Sequence, residues 1–277
     1  MLKKLSVILL AAVTSIALIS GCAKKQTVLE KVKQSGKIVV YTNPEFPPYE
    51  YLGKDGQIVG AEIDIVNKIA ERLGVKAEIV NSEFDSILMT VATGKADIGA
   101  SGFTINDERK QKVDFSKPFV VSVQYLIVPE ASAIKVVEDL AGKKIGGQSG
   151  TTGFLMIEDA INKDDGVLKG KNTEAKAYNT APDAVVAMKE GKLDAVVIDD
   201  LVAKSLTAKN PGLKCFEMLK ADGKGLDAPE EFGIMAAKGN EDLIAIINEV
   251  IDEMKADGSW DAALKAHQAA SEAPEAK

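Results

Sequence analysis

The spacing of apolar residues along the chain switches repeatedly between two patterns. In residues 61–73, Ile65, Ile69 and Leu73 recur every four positions, which places them on one face of an α-helix, and Gly74 supplies a common helix stop. Residues 37–42 are instead a short run rich in isoleucine and valine, which is typical of a strand. The alternation of the two patterns predicts an α/β protein.

The first part of the chain predicts a β-α-β-α-β series. Residues 43–48 contain three prolines, which continue neither a helix nor a central strand, so we expect a loop there. A hairpin follows at 49–59 around a Lys-Asp-Gly turn. The other predicted elements are strands at 37–42, 77–80 and 96–100 and helices at 61–73 and 84–93.

A second α/β series follows, and two extended apolar runs separate it from the rest. We interpret the runs at 122–128 and 232–236 as crossings between two lobes, because neither has a helical period. The second series comprises predicted strands at 144–147, 175–178 and 195–198, helices at 152–161, 183–189 and 201–208, and a short helical turn at 137–140. An amphipathic helix at 242–255 and a final helix through residue 265 complete the pattern.

The first 21 residues have the features of a secretory signal. Lys3 and Lys4 precede an apolar stretch at 5–19 that is too short to span a bilayer comfortably. The stretch ends in Ile-Ser-Gly-Cys, which resembles the bacterial lipobox, whose cysteine becomes the lipid-modified N-terminus. We expect removal of residues 1–21, a lipid on Cys22 and a tether at 22–34, which anchors the protein to a membrane. The alternative is an unprocessed membrane anchor.

Charge and rare residues exclude several classes of function. The 277 residues have a net charge of −7 at pH 7 and no basic stripe, which argues against nucleic-acid binding. His267 is the single histidine, so the usual catalytic triads and dyads and histidine-rich zinc sites are excluded, and we interpret it as a solvated surface residue. With Cys22 acylated, Cys215 has no disulfide partner. We expect no cofactor and no metal.

Residues 97–110 run from a strand through small residues into a charged helix start. The small residues Ser101 and Gly102 allow backbone N–H groups to approach a ligand closely. Arg109, five residues after Thr104, can grip a carboxylate with two hydrogen bonds. By itself the segment is also what an ordinary strand–turn–helix corner looks like.

Ordered motifs over residues 35–266 resemble one family. They are NPEFPPYE at 43–50, GAEID at 60–64, SGFTINDER at 101–109, VDFS at 113–116, SGTTG at 149–153 and DAVVID at 194–199. The chain resembles the family 3 extracellular solute-binding proteins, the receptors for polar amino acids in bacterial ABC importers. The resemblance implies a type II periplasmic-binding-protein fold, in which two hinge strands join two lobes around a ligand cleft. It implies lobe 1 at 35–121 and 228–267 and lobe 2 at 126–222, and we expect a disordered tail at 268–277.

The resemblance also implies a site for a zwitterion. Arg109, the backbone around Thr104 and the loop containing Thr151 and Thr152 would bind the ligand carboxylate. Asp199 would pair with the ammonium group, with oxygen acceptors from Ser101 and Gly102. Phe46 and Phe84 would enclose the ligand side chain. The alternatives are that Asp199 caps the helix at 201–208, although Asp200 is the better cap candidate, and that Phe84 is a core residue.

The residues that would select the ligand side chain give a less specific signal. Relatives that bind cationic ligands often carry an acidic residue near the first aromatic residue. At the position where those relatives frequently have aspartate, this chain has Asn43. Glu45 could reach a cationic group or could be a solvated loop charge. Gln148 could bind an amide or a hydroxyl. We therefore expect a polar, neutral amino acid, with cationic ones as the alternative, and Thr152 at a relative's glycine position disfavours glutamine.

The expected function is a monomeric receptor that delivers an amino acid to the permease subunits of an ABC transporter. One alternative is an enzyme on the same fold that resembles cyclohexadienyl dehydratase, which needs a general acid such as Glu45 facing the substrate. Another is a sensory ligand-binding module. Such modules are usually fused to a transmembrane region, and the chain shows no second apolar span.

Overall fold

The computed structural model describes residues 26–273, so the predictions for the signal segment and for Cys22 lie outside the described residues. The helices are α1 (Val28–Ser35), α2 (Ala61–Leu73), α3 (Phe84–Ala92), α4 (Asp107–Lys110), α5 (Thr152–Asn162), α6 (Ala181–Lys189), α7 (Asp200–Lys209), α8 (Glu241–Ala256) and α9 (Ser259–Glu272), with a 3-10 helix at Val137–Leu140. Among residues 26–273, no helix is both long and apolar enough to cross a membrane.

The strands form two five-stranded sheets and two small ones. They are β1 (Lys37–Thr42), β2 (Glu45–Phe46), β3 (Glu50–Leu52), β4 (Ile58–Val59), β5 (Lys76–Asn81), β6 (Ile98–Gly99), β7 (Val113–Phe115), β8 (Val120–Ser122), β9 (Gln124–Pro129), β10 (Lys144–Gln148), β11 (Glu174–Tyr178), β12 (Ala195–Asp199), β13 (Leu213–Glu217), β14 (Glu230–Phe232) and β15 (Met235–Ala237). These bounds confirm the predicted alternation, and helix α2 begins and ends where the sequence pattern places it.

The two large sheets have the same plan. In the first lobe the strand order is β5-β1-β6-β15-β7, and in the second it is β11-β10-β12-β9-β13. In each sheet four strands run in one direction and one strand, β15 in the first sheet and β9 in the second, runs antiparallel between two of them. The inserted antiparallel strand of each sheet, β15 or β9, directly follows a segment that crosses between the lobes.

The crossings lie a few residues from where the sequence predicts them. Strands β8 and β14 pair antiparallel outside both large sheets, with Glu230 opposite Ser122 and Phe232 opposite Val120. Most of the predicted crossing at 122–128 is strand β9, a central strand of the second sheet, and 235–237 belongs to the first sheet. Crossing and central strands are both extended and apolar, so periodicity cannot distinguish them.

The predicted tether at 22–34 is wrong over its last part. Residues 28–35 form helix α1, which begins at a capping box, because the Thr27 hydroxyl accepts from the Glu30 N–H and the Glu30 carboxylate accepts from the Thr27 N–H. Val32 on this helix is buried, and α1 packs on α8. The helix is therefore part of the folded first lobe.

The expectation of a disordered tail from residue 268 is also wrong over the residues described. Helix α9 continues to Glu272, and Ser271 is buried with its hydroxyl 3.0 Å from that of Ser205 on α7. His267 is not simply solvated: its ring nitrogens lie 2.9 Å from the Tyr51 hydroxyl and 3.1 Å from the Asp64 carboxylate. Helix α9 therefore packs on the first lobe through α2 and α8 and on the second through α7.

Candidate ligand-binding site

The candidate residues follow the carboxyl ends of parallel strands in both sheets. Asn43 follows β1 and Ser101 lies just after β6 in the first lobe, whereas Gln148 ends β10 and Asp199 ends β12 in the second. In open α/β sheets, ligands bind in the crevice outside these strand ends. The topology therefore brings residues that are distant in sequence to one cleft.

One small cavity between the lobes is lined by eleven of the twelve predicted residues. Its volume is about 10 Å³, room for roughly one water molecule, so the cleft is closed in this structure. The lining residues are Asn43, Phe46, Phe84, Ser101, Gly102, Thr104, Arg109, Gln148, Thr151, Thr152 and Asp199.

Glu45 is the one predicted residue that does not line the cavity. Its carboxylate is half-buried, and burial, followed by the charge of Asp183, raises its pKa. Lys209 opposes this effect. Glu45 therefore lies near charged groups of the second lobe and outside the set of residues that line the cavity.

The Arg109 guanidinium joins the two lobes. Residue Asn106 caps the short helix α4 by accepting the Arg109 N–H at 2.9 Å, and the side chain then turns into the cleft, where it is buried. One guanidinium nitrogen donates to the Thr104 carbonyl and the other to the Gly150 carbonyl of the second lobe, each at 3.0 Å. Burial lowers the pKa of Arg109, and the charges of Glu230 and Asp199 oppose that effect.

Phe84 and Phe46 are both packed against other aromatic rings. The Phe84 ring stacks on Phe103 with centroids 4.5 Å apart, and the Arg109 guanidinium lies over both rings. Phe46 packs on Tyr49 and Phe232 at the first lobe's core. Each ring is thus a core residue that also lines the cavity. For Phe84, the interpretation as a core residue is therefore compatible with the interpretation as a residue that encloses the ligand side chain.

Three further hydrogen bonds cross the cleft between side chains. The Gln148 amide donates to the Asn43 amide oxygen at 2.9 Å, and the Thr152 hydroxyl donates to the Thr104 hydroxyl at 2.9 Å. At the rim, the Ser149 hydroxyl donates to Asp85 at 3.2 Å. The lobes therefore meet through polar groups that a ligand could also engage.

Asp199 is held at one oxygen. Its Oδ1 accepts from the Ser122 hydroxyl and from the Gln124 amide, both at 3.0 Å. It occupies the N-cap position of α7, but its side chain makes no capping hydrogen bond. Burial, followed by the charge of Glu230, raises the pKa of Asp199 well above its usual range. A cation beside Asp199 would favour its ionised form.

The sequence interpretation missed Glu230 and Gln124. Glu230 lies on crossing strand β14, where its carboxylate accepts from Thr104 Oγ1 at 2.5 Å and from Gln124 Nε2 at 3.0 Å. The same Gln124 nitrogen donates to Asp199. The period of two in a strand, which points Glu230 and the apolar Phe232 to the same side, is the signal that could have identified it.

A second acidic pair, Glu50 and Glu62, lies beneath the cavity and was also missed. Both side chains are fully buried, and Glu62 Oε2 accepts the N–H of Gly102, a cavity residue, at 2.7 Å. Burial raises the pKa of Glu62 to about 7, and burial together with the Glu62 charge raises that of Glu50 well above its usual range. In α2, Glu62 shares a face with Ile65 and Ile69, which indicates burial.

Chemically, the cavity suits a small molecule that carries both charges. It has one buried guanidinium, one buried carboxylate, hydroxyl groups and two aromatic rings. Among residues 26–273 there is no group of three or more histidine, cysteine, aspartate or glutamate side chains that could hold a metal ion. The two lobes and the polar cleft define a two-lobed binding protein for a small ligand.

The chain belongs to the bacterial extracellular solute-binding proteins, family 3, whose family model matches residues 38–269. It is similar to the L-cystine-binding protein TcyJ of Escherichia coli strain K12, with 30% identity over 91% of this chain and 92% of that protein. It is also similar to a probable histidine-binding protein of Campylobacter jejuni, with 32% identity over 83% of this chain and 84% of that protein.

Solved structures show the same two-lobed α/β architecture, which confirms the predicted fold class. An amino acid ABC transporter substrate-binding protein from Streptococcus pneumoniae, AbpA bound to L-arginine, aligns with a TM-score of 0.80 at 30% identity, over 88% of this chain and 99% of that one. The P235GK mutant of ArgBP from T. maritima aligns with a TM-score of 0.76 at 34% identity, over 86% and 98%.

The buried Glu62 carboxyl should make stability depend on pH. Since its pKa is about 7 in the folded protein against 4.5 ordinarily, the folded state binds more protons between these values. The free energy of unfolding therefore falls as pH rises through this window, by about 3 kcal/mol from this group. Glu62→Gln, whose side-chain oxygen can still accept from Gly102, should remove most of that fall, as measured by chemical denaturation at pH 5 and pH 8.

Glu71→Gln is the matched control, because Glu71 is exposed on the same helix. It should leave the pH dependence of the wild type unchanged. An equal fall in stability for wild type and Glu62→Gln would contradict the assignment of the effect to Glu62.

Proposed function

We propose that this protein is an extracytoplasmic receptor that captures an L-amino acid by closure of its lobes and delivers it to an ABC transporter permease. The observation that carries the proposal is the pairing of opposite charges across one cavity. Arg109 comes from the first lobe and Asp199 from the second, and both are buried. A zwitterion leaves water at low cost only where each of its charges meets a partner.

The proposed mechanism follows from how Arg109 and the threonines are bonded. The ligand carboxylate would accept from Arg109 in place of the Thr104 and Gly150 carbonyls, which are weaker partners for a guanidinium. Thr152 begins helix α5, whose free N–H groups favour an anion. Because the two lobes supply different partners, only the closed arrangement pairs both ends of the ligand.

For the ligand side chain, we propose an uncharged polar group. Asn43 and Gln148, which line the cavity, are amides, and the only carboxylate predicted nearby, Glu45, lies outside the lining. The names of relatives refer to cystine, histidine and arginine, so they support an amino-acid receptor without selecting one side chain. A cationic side chain is the competing candidate, supported by the L-arginine-bound neighbour.

A thermal-shift screen of residues 27–277 against the twenty protein amino acids, with prephenate and arogenate added, tests this proposal. A ligand at 100 times its Kd adds roughly 2.7 kcal/mol to the free energy of unfolding. We expect a clear rise in melting temperature with one or a few polar amino acids. A rise with prephenate or arogenate alone would contradict the receptor function and favour an enzyme.

Arg109→Ala should weaken amino-acid binding by roughly 100-fold or more, because the ligand carboxylate would be buried without its cationic partner. The variant should remain folded, since Arg109 lies on a short helix at the cleft and not in the apolar core. Isothermal titration calorimetry measures the loss. Lys110→Ala, which removes an exposed cation from the same helix, should bind like wild type. Binding by Arg109→Ala within a few-fold of wild type would refute the carboxylate assignment.

Asn43→Asp should shift the preference toward cationic amino acids. A carboxylate at this position would add a charge-assisted hydrogen bond to a cationic side chain, which corresponds to about tenfold in relative affinity for L-arginine over L-glutamine. Competition binding of the two amino acids measures the ratio. Asn179→Asp adds the same charge at an exposed site whose backbone contacts Gln148, and it should leave the ratio within about twofold. Equal shifts of the affinity ratio in both variants would indicate a long-range electrostatic effect of the added charge and not a contact with the ligand side chain.

We also propose that Cys22 carries the lipid that holds the protein at the membrane. Cys22→Ala should move the full-length protein from the membrane fraction to the soluble extracytoplasmic fraction, since no acyl chain would remain to bind the bilayer. Immunoblotting of fractionated cells measures the change. Cys215→Ala is the matched control and should stay with the membrane. Continued membrane association of the Cys22 variant would point to an uncleaved anchor.

A further inference from the structure

Glu230 is a buried carboxylate that does not line the cavity but contacts the residues that do. It lies on crossing strand β14, opposite Ser122 of strand β8. Its two oxygens have different partners: Oε2 accepts from Thr104 of the first lobe, and Oε1 accepts from Gln124 of the second. This single side chain thus connects the crossing to both lobes.

The contact with Glu230 fixes the direction of the Thr104 hydroxyl. A threonine hydroxyl has one hydrogen to donate and two lone pairs that accept. The hydrogen of Thr104 is directed at Glu230, 2.5 Å away, and one lone pair receives the Thr152 hydroxyl at 2.9 Å. The remaining lone pair makes Thr104, a cavity residue, an acceptor toward a ligand, which suits an ammonium group and not a carboxylate.

Glu230 acts on Asp199 through Gln124. One nitrogen of Gln124 donates to Glu230 Oε1 and to Asp199 Oδ1, each at 3.0 Å. Ser122 also donates to Oδ1 of Asp199. Two donors thereby hold one oxygen of Asp199, and its other oxygen is left to accept from a cation in the cavity that Asp199 lines.

We infer that Glu230 is a positioning residue for the ammonium half of the site: it directs the Thr104 hydroxyl and, through Gln124, the Asp199 carboxylate as acceptors toward the α-ammonium group of the ligand. The inference rests on the proposed amino-acid function. It assigns to a crossing strand a part in recognising the ligand, in addition to its part in joining the lobes.

Burial is the largest effect on Glu230 and raises its pKa. The hydrogen bonds that it accepts from Thr104 and Gln124, together with the charge of Arg109, act in the opposite direction and favour its ionised form. Asp199 and Asp200 are the other charged groups near this part of the crossing, with Ser122 Oγ 3.0 Å from Asp199 and 3.3 Å from Asp200. Gln124 lies between the buried carboxylates of Glu230 and Asp199, and it lessens their repulsion by donating to both.

A double-mutant cycle of Glu230→Ala and Thr104→Val tests the inference. The probe is whichever of the twenty protein amino acids raises the melting temperature of the wild type most. Each single variant should weaken its binding about tenfold. If Glu230 acts in part through Thr104, Glu230→Ala should cost clearly less than tenfold once Thr104 is valine, and the loss that remains arises through Gln124 and Asp199. Independent losses that multiply to about 100-fold would overturn the inference.

A second readout separates positioning from general support of the fold. The analogue of the probe that lacks the α-amino group cannot use these acceptors. Glu230→Ala should therefore reduce the preference for the amino acid over this analogue about tenfold, whereas a purely structural defect would weaken both ligands equally and overturn the inference. Glu230→Gln, which keeps the size of the side chain but places a donor beside Gln124, should also reduce the preference.

Glu231→Ala and Glu231→Gln are the matched controls, because Glu231 is the exposed neighbour on the same strand. Both should bind the probe like wild type. Failure of the wild type to bind any of the twenty amino acids would contradict the proposed function and this inference together. Binding by the wild type with an unchanged Glu230→Ala variant would contradict this inference alone.

Discussion

The buried guanidinium of Arg109 is the interaction on which the arrangement of the cleft depends. A charge removed from water needs partners on every side, and Arg109 has them only because two lobes meet around it. Thr104 supplies one carbonyl, Gly150 supplies the other, and the stacked Phe84 and Phe103 rings cover the guanidinium. The two carbonyls accept hydrogen bonds from the guanidinium but do not neutralise its charge. This imbalance makes a ligand carboxylate a better partner than the protein itself.

The topology of the two sheets positions the loops that surround this charge. Both sheets direct the carboxyl ends of their parallel strands at the cleft, so short loops such as 101–104 and 149–152 reach it with small residues. Each crossing strand runs directly into the antiparallel strand of the lobe it enters. The position of a crossing residue such as Glu230 is therefore fixed relative to the sheets, which allows a side chain on the crossing to contact binding residues of both lobes.

The sequence predicted the fold and the residues that line the cavity more fully than it predicted the buried residues that hold them in place. Helix α2 and the strand ends followed from periodicity and glycine stops. Eleven of the twelve candidate residues lie at one cavity because they lie at the carboxyl ends of strands or in the segments that follow them. The crossings were misplaced because strand β9 is as apolar and extended as a crossing. Glu62 and Glu230 were missed because charge usually indicates exposure, and only their position on a buried face reveals them. Helix α1 was overlooked because its burial depends on contact with α8, which is more than 200 residues away in sequence.

The contacts across the cleft also explain how closure and selectivity can be linked. Gln148 with Asn43 and Thr152 with Thr104 join the lobes through neutral groups, and such bonds contribute about 1 kcal/mol each. A ligand can replace them at little cost while it adds charge-assisted bonds at Arg109 and Asp199, which are stronger. The charged pairs would supply affinity for any amino acid, and the amide pair would decide which side chain is accepted. Under the proposed function, the amide pair and the charged groups would therefore have separate roles, the first in selectivity and the second in affinity.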